Sequence, residues 1–459
     1  MIAAFCFLAA VMVAPSSSFA FSSDTLRQLA DDALHHARVK GASAAEAEVS
    51  ESCGLSVTVR CGEVETIEYN RDKGLSVGVY LGRRWGGAST SDFSARAVQE
   101  TVEAALTIAR FTAEDPCAGL PEKEELALGA LPDLDLCHPW DLSTEAAIAL
   151  AHRCEAAAFA ADARIENSEG GSLSSQQGQF ILANSQGFLG GYPSSRHYLS
   201  CSVIAGKGGQ MQRDDWYSTH RKPDALETPE AVGQQAARRA VARLGAKKIA
   251  AGSFPVLFEA PLASGLLGHF VHAASGNPLY HKASFLLDQL GKTIFPGFFT
   301  LSERPHLPAA LSSANFDNEG VRTREREVVQ NGVLQGYFLS VYSARKLNLS
   351  TTANAGGSHN LFLSPGAHDL PALLRQMGRG LLVTELLGHG VNYVTGDYSR
   401  GAAGFWVEDG EIVHPVEEIT IAGNLRDMFM NLRAIGNDID LRSSRQTGSW
   451  LIEAMTVGA

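Results

Sequence analysis

A chain of 459 residues exceeds what one hydrophobic core ordinarily serves, so two domains are expected. With 45% hydrophobic and 19% charged residues it reads as a soluble globular protein, which excludes a disordered or a membrane-embedded class. The net charge of −12 argues against a phosphate backbone as partner, because nucleic-acid binding needs a basic surface; neither nucleic acid nor membrane is expected as a partner.

Residues 1–22 form an apolar N-terminal extension. Met1 to Ala14 carry no charge, and Ser18-Phe19-Ala20 has the small-residue look of a secretory cleavage site. The first cation is Arg27, so the basic region of an ordinary signal peptide is missing. The run is too short to span a bilayer. Three readings stay open: an atypical signal, an ordered extension, or an upstream start with Met12 as the true first residue.

A helix is predicted after Ser23 and Asp24, with Leu26, Leu29, Ala30, Ala33, Leu34 and Ala37 at helical spacing and Gly41 closing it. Strands follow at Leu55, Val57, Val59 and at Leu75, Val77, Val79, where apolar and polar residues alternate. Asp92 offers an N-cap for a helix over 94–110. A connector rich in Pro, Glu and Leu over 115–139 leads to an alanine-rich helix over 144–162, then a polar strand region over 167–212. Thr228-Pro229-Glu230 is a helix start, with a cap, Pro at the first position and an acid in the first turn; Gly245 stops that helix.

The expected architecture is α+β. A sandwich-like α/β N-terminal domain over 23–246 precedes a mostly antiparallel β domain with few helices over 247–459. The boundary falls where Lys247, Lys248 and small residues lead into a strand at Phe254 to Phe258. Lys247 and Lys248 with Arg238, Arg239 and Arg243 read as a solvated helix face. In the second half, Asn331-Gly332 and Asp409-Gly410 signal hairpins, and helices are predicted over 264–274 and 371–377.

Seven cysteines (Cys6, Cys53, Cys61, Cys117, Cys137, Cys154 and Cys201) are scattered and odd in number, which reads as reduced thiols in a cytosolic protein. Gly74-Leu75-Ser76-Val77-Gly78 matches the Gly-x-Ser-x-Gly pattern of serine hydrolases, but Ser76 sits inside an alternating strand rather than on a strand-to-helix elbow, so a structural serine is expected. His269 and His272 are three apart on a predicted helix with His281 beyond, so a metal is geometrically allowed. No carboxylate lies between them to act as base, and the expected reading is hydrogen bonding or an interface. Asn348-Leu349-Ser350 is a glycosylation acceptor only in a secreted chain. The stretch from Gly388 to Gly404 holds His389, Asn392, Asp397, Ser399, Arg400 and Gly401, the candidates for substrate binding or a partner interface. A hydrogen-bonded structural loop is the even alternative for this stretch.

One segment is Gly396-Asp397-Tyr398-Ser399-Arg400-Gly401-Ala402-Ala403-Gly404-Phe405-Trp406-Val407-Glu408-Asp409-Gly410-Glu411-Ile412. With it come Arg71-Asp72-Lys73-Gly74-Leu75-Ser76-Val77-Gly78-Val79-Tyr80, Gly276-Asn277-Pro278-Leu279-Tyr280-His281-Lys282-Ala283-Ser284-Phe285-Leu286, and Asp317-Asn318-Glu319-Gly320-Val321. Gly332-Val333-Leu334-Gln335-Gly336-Tyr337, Tyr342-Ser343-Ala344-Arg345-Lys346-Leu347 and Gly388-His389-Gly390-Val391-Asn392 complete the set. Taken together and in this order, they resemble the TldD/PmbA metallopeptidase family, and within it the TldE/PmbA branch, over nearly the whole chain from about Leu26.

The resemblance implies a two-domain α+β subunit that pairs with a TldD-like sister and acts on unfolded peptide. In the sister, a helix with His-Glu-x-x-x-His binds zinc through two histidines, the glutamate activates water, and a distant cysteine completes the site. Laid on this chain by Leu266-Leu267, the first His falls at Gly268, the Glu at His269 and the second His at Ala273, and no Cys follows Cys201. The resemblance therefore implies a supporting subunit with no catalytic and no metal-ligating residue and no cofactor of its own, zinc being in the partner, and a cytoplasmic location that favours Met12 as start. Two other readings stay open: a self-sufficient metallopeptidase using His269, His272 and a non-family ligand, and a non-enzymatic modulator of a toxin–antitoxin or topoisomerase system.

Overall fold

The computed structural model describes residues 19–458; the signal and start-site readings lie outside the described residues. Of the extension, Ala20 and Phe21 donate their backbone N–H groups to the Glu51 carboxylate at 2.6 and 3.2 Å, which leads the chain into the first helix.

The elements run α1 (Ser23–Val39), β1 (Ala44–Arg60), β2 (Glu63–Leu81), β3 (Arg84–Thr90), α2 (Ala95–Phe111), α3 (Thr144–Ala161), β4 (Ile165–Asn184), β5 (Leu189–Gly190), β6 (Pro193–Ala205), β7 (Gln212–His220) and α4 (Pro229–Ala242). Hydroxyl caps start all four helices: Ser22, Ser94, Ser143 and Thr228 accept from the N–H three residues on, at 3.1–3.3 Å. The second cap corrects the sequence reading. Asp92 does not cap α2; it accepts from the backbone and hydroxyl of Ser94 and holds the capping serine in place.

The strands form one antiparallel sheet in the order β3-β2-β1-β4-β6-β7, with β5 paired to β4. Along β1 the odd-numbered side chains are buried. Ala45, Ala47 and Val49 meet α1 and α2, and Leu55, Val57 and Val59 meet α3 and α4. Because alternate residues of a strand share a face, all four helices cover the same face of the sheet. Ser76 lies mid-β2 on the exposed side, as a structural serine should.

The second half runs β8 (Gly252–Phe258), α5 (Ala260–Ala273), α6 (Gly276–Tyr280), β9 (Leu301–Glu303), β10 (Arg326–Gln330), β11 (Val333–Leu334), α7 (Val341–Leu347), β12 (Leu361–Leu363), α8 (Leu370–Met377), β13 (Gly380–Leu387), β14 (Asp397–Glu408), β15 (Glu411–Asn424), α9 (Leu425–Met430), β16 (Leu432–Ile435), β17 (Arg445–Gln446) and β18 (Trp450–Gly458). A six-stranded sheet has the order β15-β14-β13-β8-β18-β16, and a five-stranded one the order β11-β10-β9-β12-β17. Pairing is antiparallel except at β8–β13 and β12–β17. Both Asn331-Gly332 and Asp409-Gly410 take positive φ at each residue, as a two-residue hairpin turn requires. Strand β8 is covered on both faces: Val256 and Phe258 enter the main core with Phe270, Phe295, Phe429 and Trp450, while Leu257 meets Leu373 and Met377 of α8.

The two halves are joined by charge. Arg239 donates to Asp214 at 2.9 Å and to both oxygens of Glu259, and Arg243 pairs with Glu385. These two arginines leave the solvated face expected of them because α4 turns that side toward buried carboxylates. The connector is held from α7: Tyr342 Oη and Lys346 Nζ both donate to Asp115, at 2.7 and 3.0 Å, and Arg345 donates to the carbonyls of Gly119 and Leu120. These bonds hold the Asp115 carboxyl at a pKa of about 2, the Lys346 bond being the largest cause. None of the described helices is long and apolar enough to cross a membrane.

Candidate functional site

Helix α5 starts four residues before the predicted Ser264, because Pro261 suits the first turn. Its inner face (Leu266, Leu267, Phe270 and Val271) is buried in the main core. The outer face carries Gly265, Gly268, His269 and His272. Around it gather side chains from the end of the Gly388–Gly404 stretch and from β17.

His269 Nδ1 shares a hydrogen bond of 2.9 Å with the Tyr393 hydroxyl, and the His272 ring lies 4.0 Å from the Tyr393 ring between centroids. Tyr398, fully buried, meets the His269 ring edge-on at 5.9 Å, and its hydroxyl is buried without a hydrogen-bond partner. Arg400 from β14 and Arg445 from β17 both bear on His269 electrostatically. Each has a buried Nε with no hydrogen-bond partner, and neither forms an ion pair among the described residues. Arg445 Nη1 packs 3.2 Å from where a Cβ on Gly268 would stand.

The consequence is a positive site without a carboxylate. Burial first, then Arg400, His272 and Arg445, hold the His269 pKa down to about 4, so the imidazole is neutral at pH 7. Burial alone lowers His272 and raises Tyr393 against the pull of Arg400, and it pushes Tyr398 up to about 12. Burial also lowers the Arg445 pKa, with no acid nearby to offset it.

These residues do not fit a zinc ion. His269 and His272 have no third ligand or carboxylate base beside them, the charges that bear on His269 are the guanidiniums of Arg400 and Arg445, and no His, Cys, Asp or Glu triad is gathered among the described residues. His281 does not join the other two histidines; it is exposed, with its ring 4.2 Å from that of Tyr280.

The six loop candidates divide. Asn392 Oδ1 accepts from the N–H groups of Val394 and Thr395, and Asp397 accepts from the Thr395 hydroxyl at 2.6 Å and from Asn424 Nδ2 at 3.2 Å. These bonds lower the Asp397 pKa and build the turn. Gly401 brings its Cα beside the Leu387 side chain across the β13–β14 pair. His389 and Ser399 are exposed, the backbone N–H of Ser399 donating to Gly390 O at 2.7 Å. Arg400 alone of the six is directed to α5. Sequence reasoning missed Tyr393, Tyr398 and Arg445; the two tyrosines lay within reach of the Gly388–Gly404 motif, whereas Arg445 carries no local signal.

Two other resemblance motifs join the hydrogen-bond framework. Asp317 Oδ1 accepts from the N–H groups of Glu319 and Val321, and its Oδ2 from that of Ala355. The backbone N–H of Phe285 donates to Tyr393 O at 2.8 Å and sets that tyrosine against α5.

Three family models match the chain: the PmbA/TldA metallopeptidase domain 1 over 45–109, the central domain over 137–244 and the C-terminal domain over 251–459. Metalloprotease PmbA of Escherichia coli O157:H7 is 51% identical over 413 residues, covering 90% of this chain and 92% of that protein. A Bacteroides thetaiotaomicron crystal structure, described as a candidate modulator of DNA gyrase, superposes with a TM-score of 0.89 at 30% identity over 94% of this chain and 98% of that one. TldE from Thermococcus kodakarensis shares the fold, with a TM-score of 0.81 at 20% identity over 94% of this chain and 100% of that one. On these grounds the chain belongs to the PmbA/TldD metallopeptidase family and is a PmbA/TldE-like protein.

Proposed function

We propose that this chain is the zinc-free, non-catalytic subunit of a heterodimeric TldD/TldE-type metallopeptidase, in which a TldD-like sister cuts unfolded peptide. The observation that carries this reading is the residue set of α5. Where the catalytic pattern needs His, Glu and His, the chain has Gly268, His269 and Ala273, and Arg445 packs on Gly268. A hydrolytic zinc site needs three ligands, an open position for water and a base; His269 and His272, with two guanidiniums bearing on His269, offer neither a third ligand nor a carboxylate base. The subunit would instead shape the chamber and hold extended peptide for proteolysis, peptide maturation or antitoxin turnover. Six free cysteines among the described residues support a reducing, cytoplasmic setting.

The test is zinc content and peptide cleavage by the full chain, alone and co-expressed with a TldD-like sister. A metal-free, inert chain that forms an active one-to-one complex supports the reading. Stoichiometric zinc with unaided cleavage removes it in favour of a self-sufficient metallopeptidase, the activity for which the Escherichia coli relative is named. The Bacteroides protein, described as a candidate modulator of DNA gyrase, favours a second reading, a modulator acting on a protein partner, which binding of a topoisomerase without any sister would support.

A further inference from the structure

Arginine guanidiniums inside proteins are normally paired, because leaving a buried donor unsatisfied costs more than its hydrogen bond gains. Three half-buried arginines illustrate the rule: Arg326 pairs with Glu303 at 2.8 Å, Arg442 with Asp440 at 2.8 Å, and Arg239 with Glu259 and Asp214. Arg400 and Arg445 do not. They come from β14 and β17, are half-buried, hold their Nε atoms without partners, and converge electrostatically on one imidazole. Nearby, the Tyr398 hydroxyl is also buried without a partner, and exposed Gly265 and His272 keep the outer face of α5 open to solvent.

We propose that Arg400 and Arg445, with His269 and the Tyr398 hydroxyl, form a carboxylate-binding site on the outer face of α5. A planar carboxylate matches the fork of a guanidinium, and two guanidiniums without an ion-pair partner, each with an unpartnered Nε, offer N–H donors. The carboxylate comes either from the C-terminus of a held peptide or from an acidic side chain of a docked sister subunit. The site deepens the proposed function and rests on it only for the source of the ligand. Filling it would satisfy donors that the fold leaves unsatisfied, and would raise the His269 pKa by setting a negative charge beside the ring.

The test follows the His269 ring of histidine-labelled full chain by NMR while sodium acetate is added at constant ionic strength against sodium chloride. A saturable acetate response, with the His269 titration moved to higher pH and the apparent affinity weakened at least about tenfold in both Arg400→Gln and Arg445→Gln, is expected. A ring that responds to acetate no more than to chloride overturns the site. So does a response that survives both substitutions in variants whose melting is unchanged.

The source is read separately, from a fluorescent extended peptide prepared as free acid and as C-terminal amide. A roughly tenfold preference for the acid that both arginine variants abolish assigns the site to peptide termini. Equal binding of acid and amide, with the acetate response intact, overturns that source and gives the site to the sister's carboxylate. Binding of neither peptide, alone or with the sister, overturns the peptide-holding function while leaving the carboxylate site standing.

Discussion

The guanidinium of Arg445 lies against the backbone of Gly268, with Nη1 3.2 Å and Cζ 3.3 Å from the place of a Cβ. The pair links β17 to the outer face of α5, and it makes the glycine a seat for a charged group rather than a source of helix flexibility.

That seat yields, because what a Cβ would meet is the tip of a flexible side chain. Gly268→Ala is expected to keep or raise stability by up to about 1 kcal/mol, the helix propensity gained by the substitution. Gly276→Ala is the control: its Cβ would collide with the Ser343 hydroxyl group, which is tied to Ser340 at 3.1 Å, so a loss of about 1–3 kcal/mol is expected from overpacking. Urea denaturation of the two variants compares them directly; equal losses would mean that Arg445 is as rigid as Ser343.

Acid should destabilise the α5 site. The folded pKa of His269 lies at about 4, below its ordinary 6.5, so between those values the unfolded chain binds the proton more readily. The contribution of neutral His269 is therefore present above about pH 6.5 and is lost as pH falls toward 4. His269→Gln, which cannot take up a proton, is expected to flatten the stability profile across that window. A variant whose profile parallels the parent would show that other groups carry the acid sensitivity.

How far the sequence spoke for this structure depends on what each residue answers to. Thr228-Pro229 and Asp409-Gly410 act locally, so α4 and the β14–β15 hairpin were legible. Strand β2 was legible only from Leu75, because residues 63–73 are exposed and lack the alternation that burial on one side imposes. Asp92 and Ser94 are both competent caps, and only the backbone geometry chooses between them. At the site, Arg400 stood inside a motif and could be singled out. Arg445 reaches α5 through the parallel β12–β17 pairing, a long-range contact that no spacing in the sequence encodes.

The turn before β14 tests whether Asn392 and Asp397 act by shape. Asp397 ties Thr395 to Asn424, whose Nδ2 also donates to Thr395 O at 3.0 Å, and the backbone N–H of Leu425 donates to Gly396 O at 2.7 Å. Asp397→Ala is expected to loosen this turn locally, because the Thr395 hydroxyl and Asn424 Nδ2 lose the acceptor they share. Limited proteolysis should then cut within 392–397 faster, with little change in global unfolding. Unchanged cleavage there alongside lost peptide binding would instead make Asp397 a direct contact.

Glu319 predicts a pH effect of the opposite sign. Its carboxyl sits near Asp317 and Glu46 and accepts the Val341 N–H at 2.7 Å; burial above all, then those acids, push its pKa up to about 8. The folded state thus holds a proton that the unfolded chain gives up near pH 4.5, so the stability it contributes is complete below pH 4.5 and is lost as pH rises toward 8. Glu319→Gln keeps an acceptor for Val341 and removes the titration. The variant is expected to match the parent near pH 5 and to exceed it in stability at pH 8. Melting curves at those two values decide it: a variant weaker than the parent at pH 8 would mean that the charged carboxylate, not the neutral acid, is the form the fold holds.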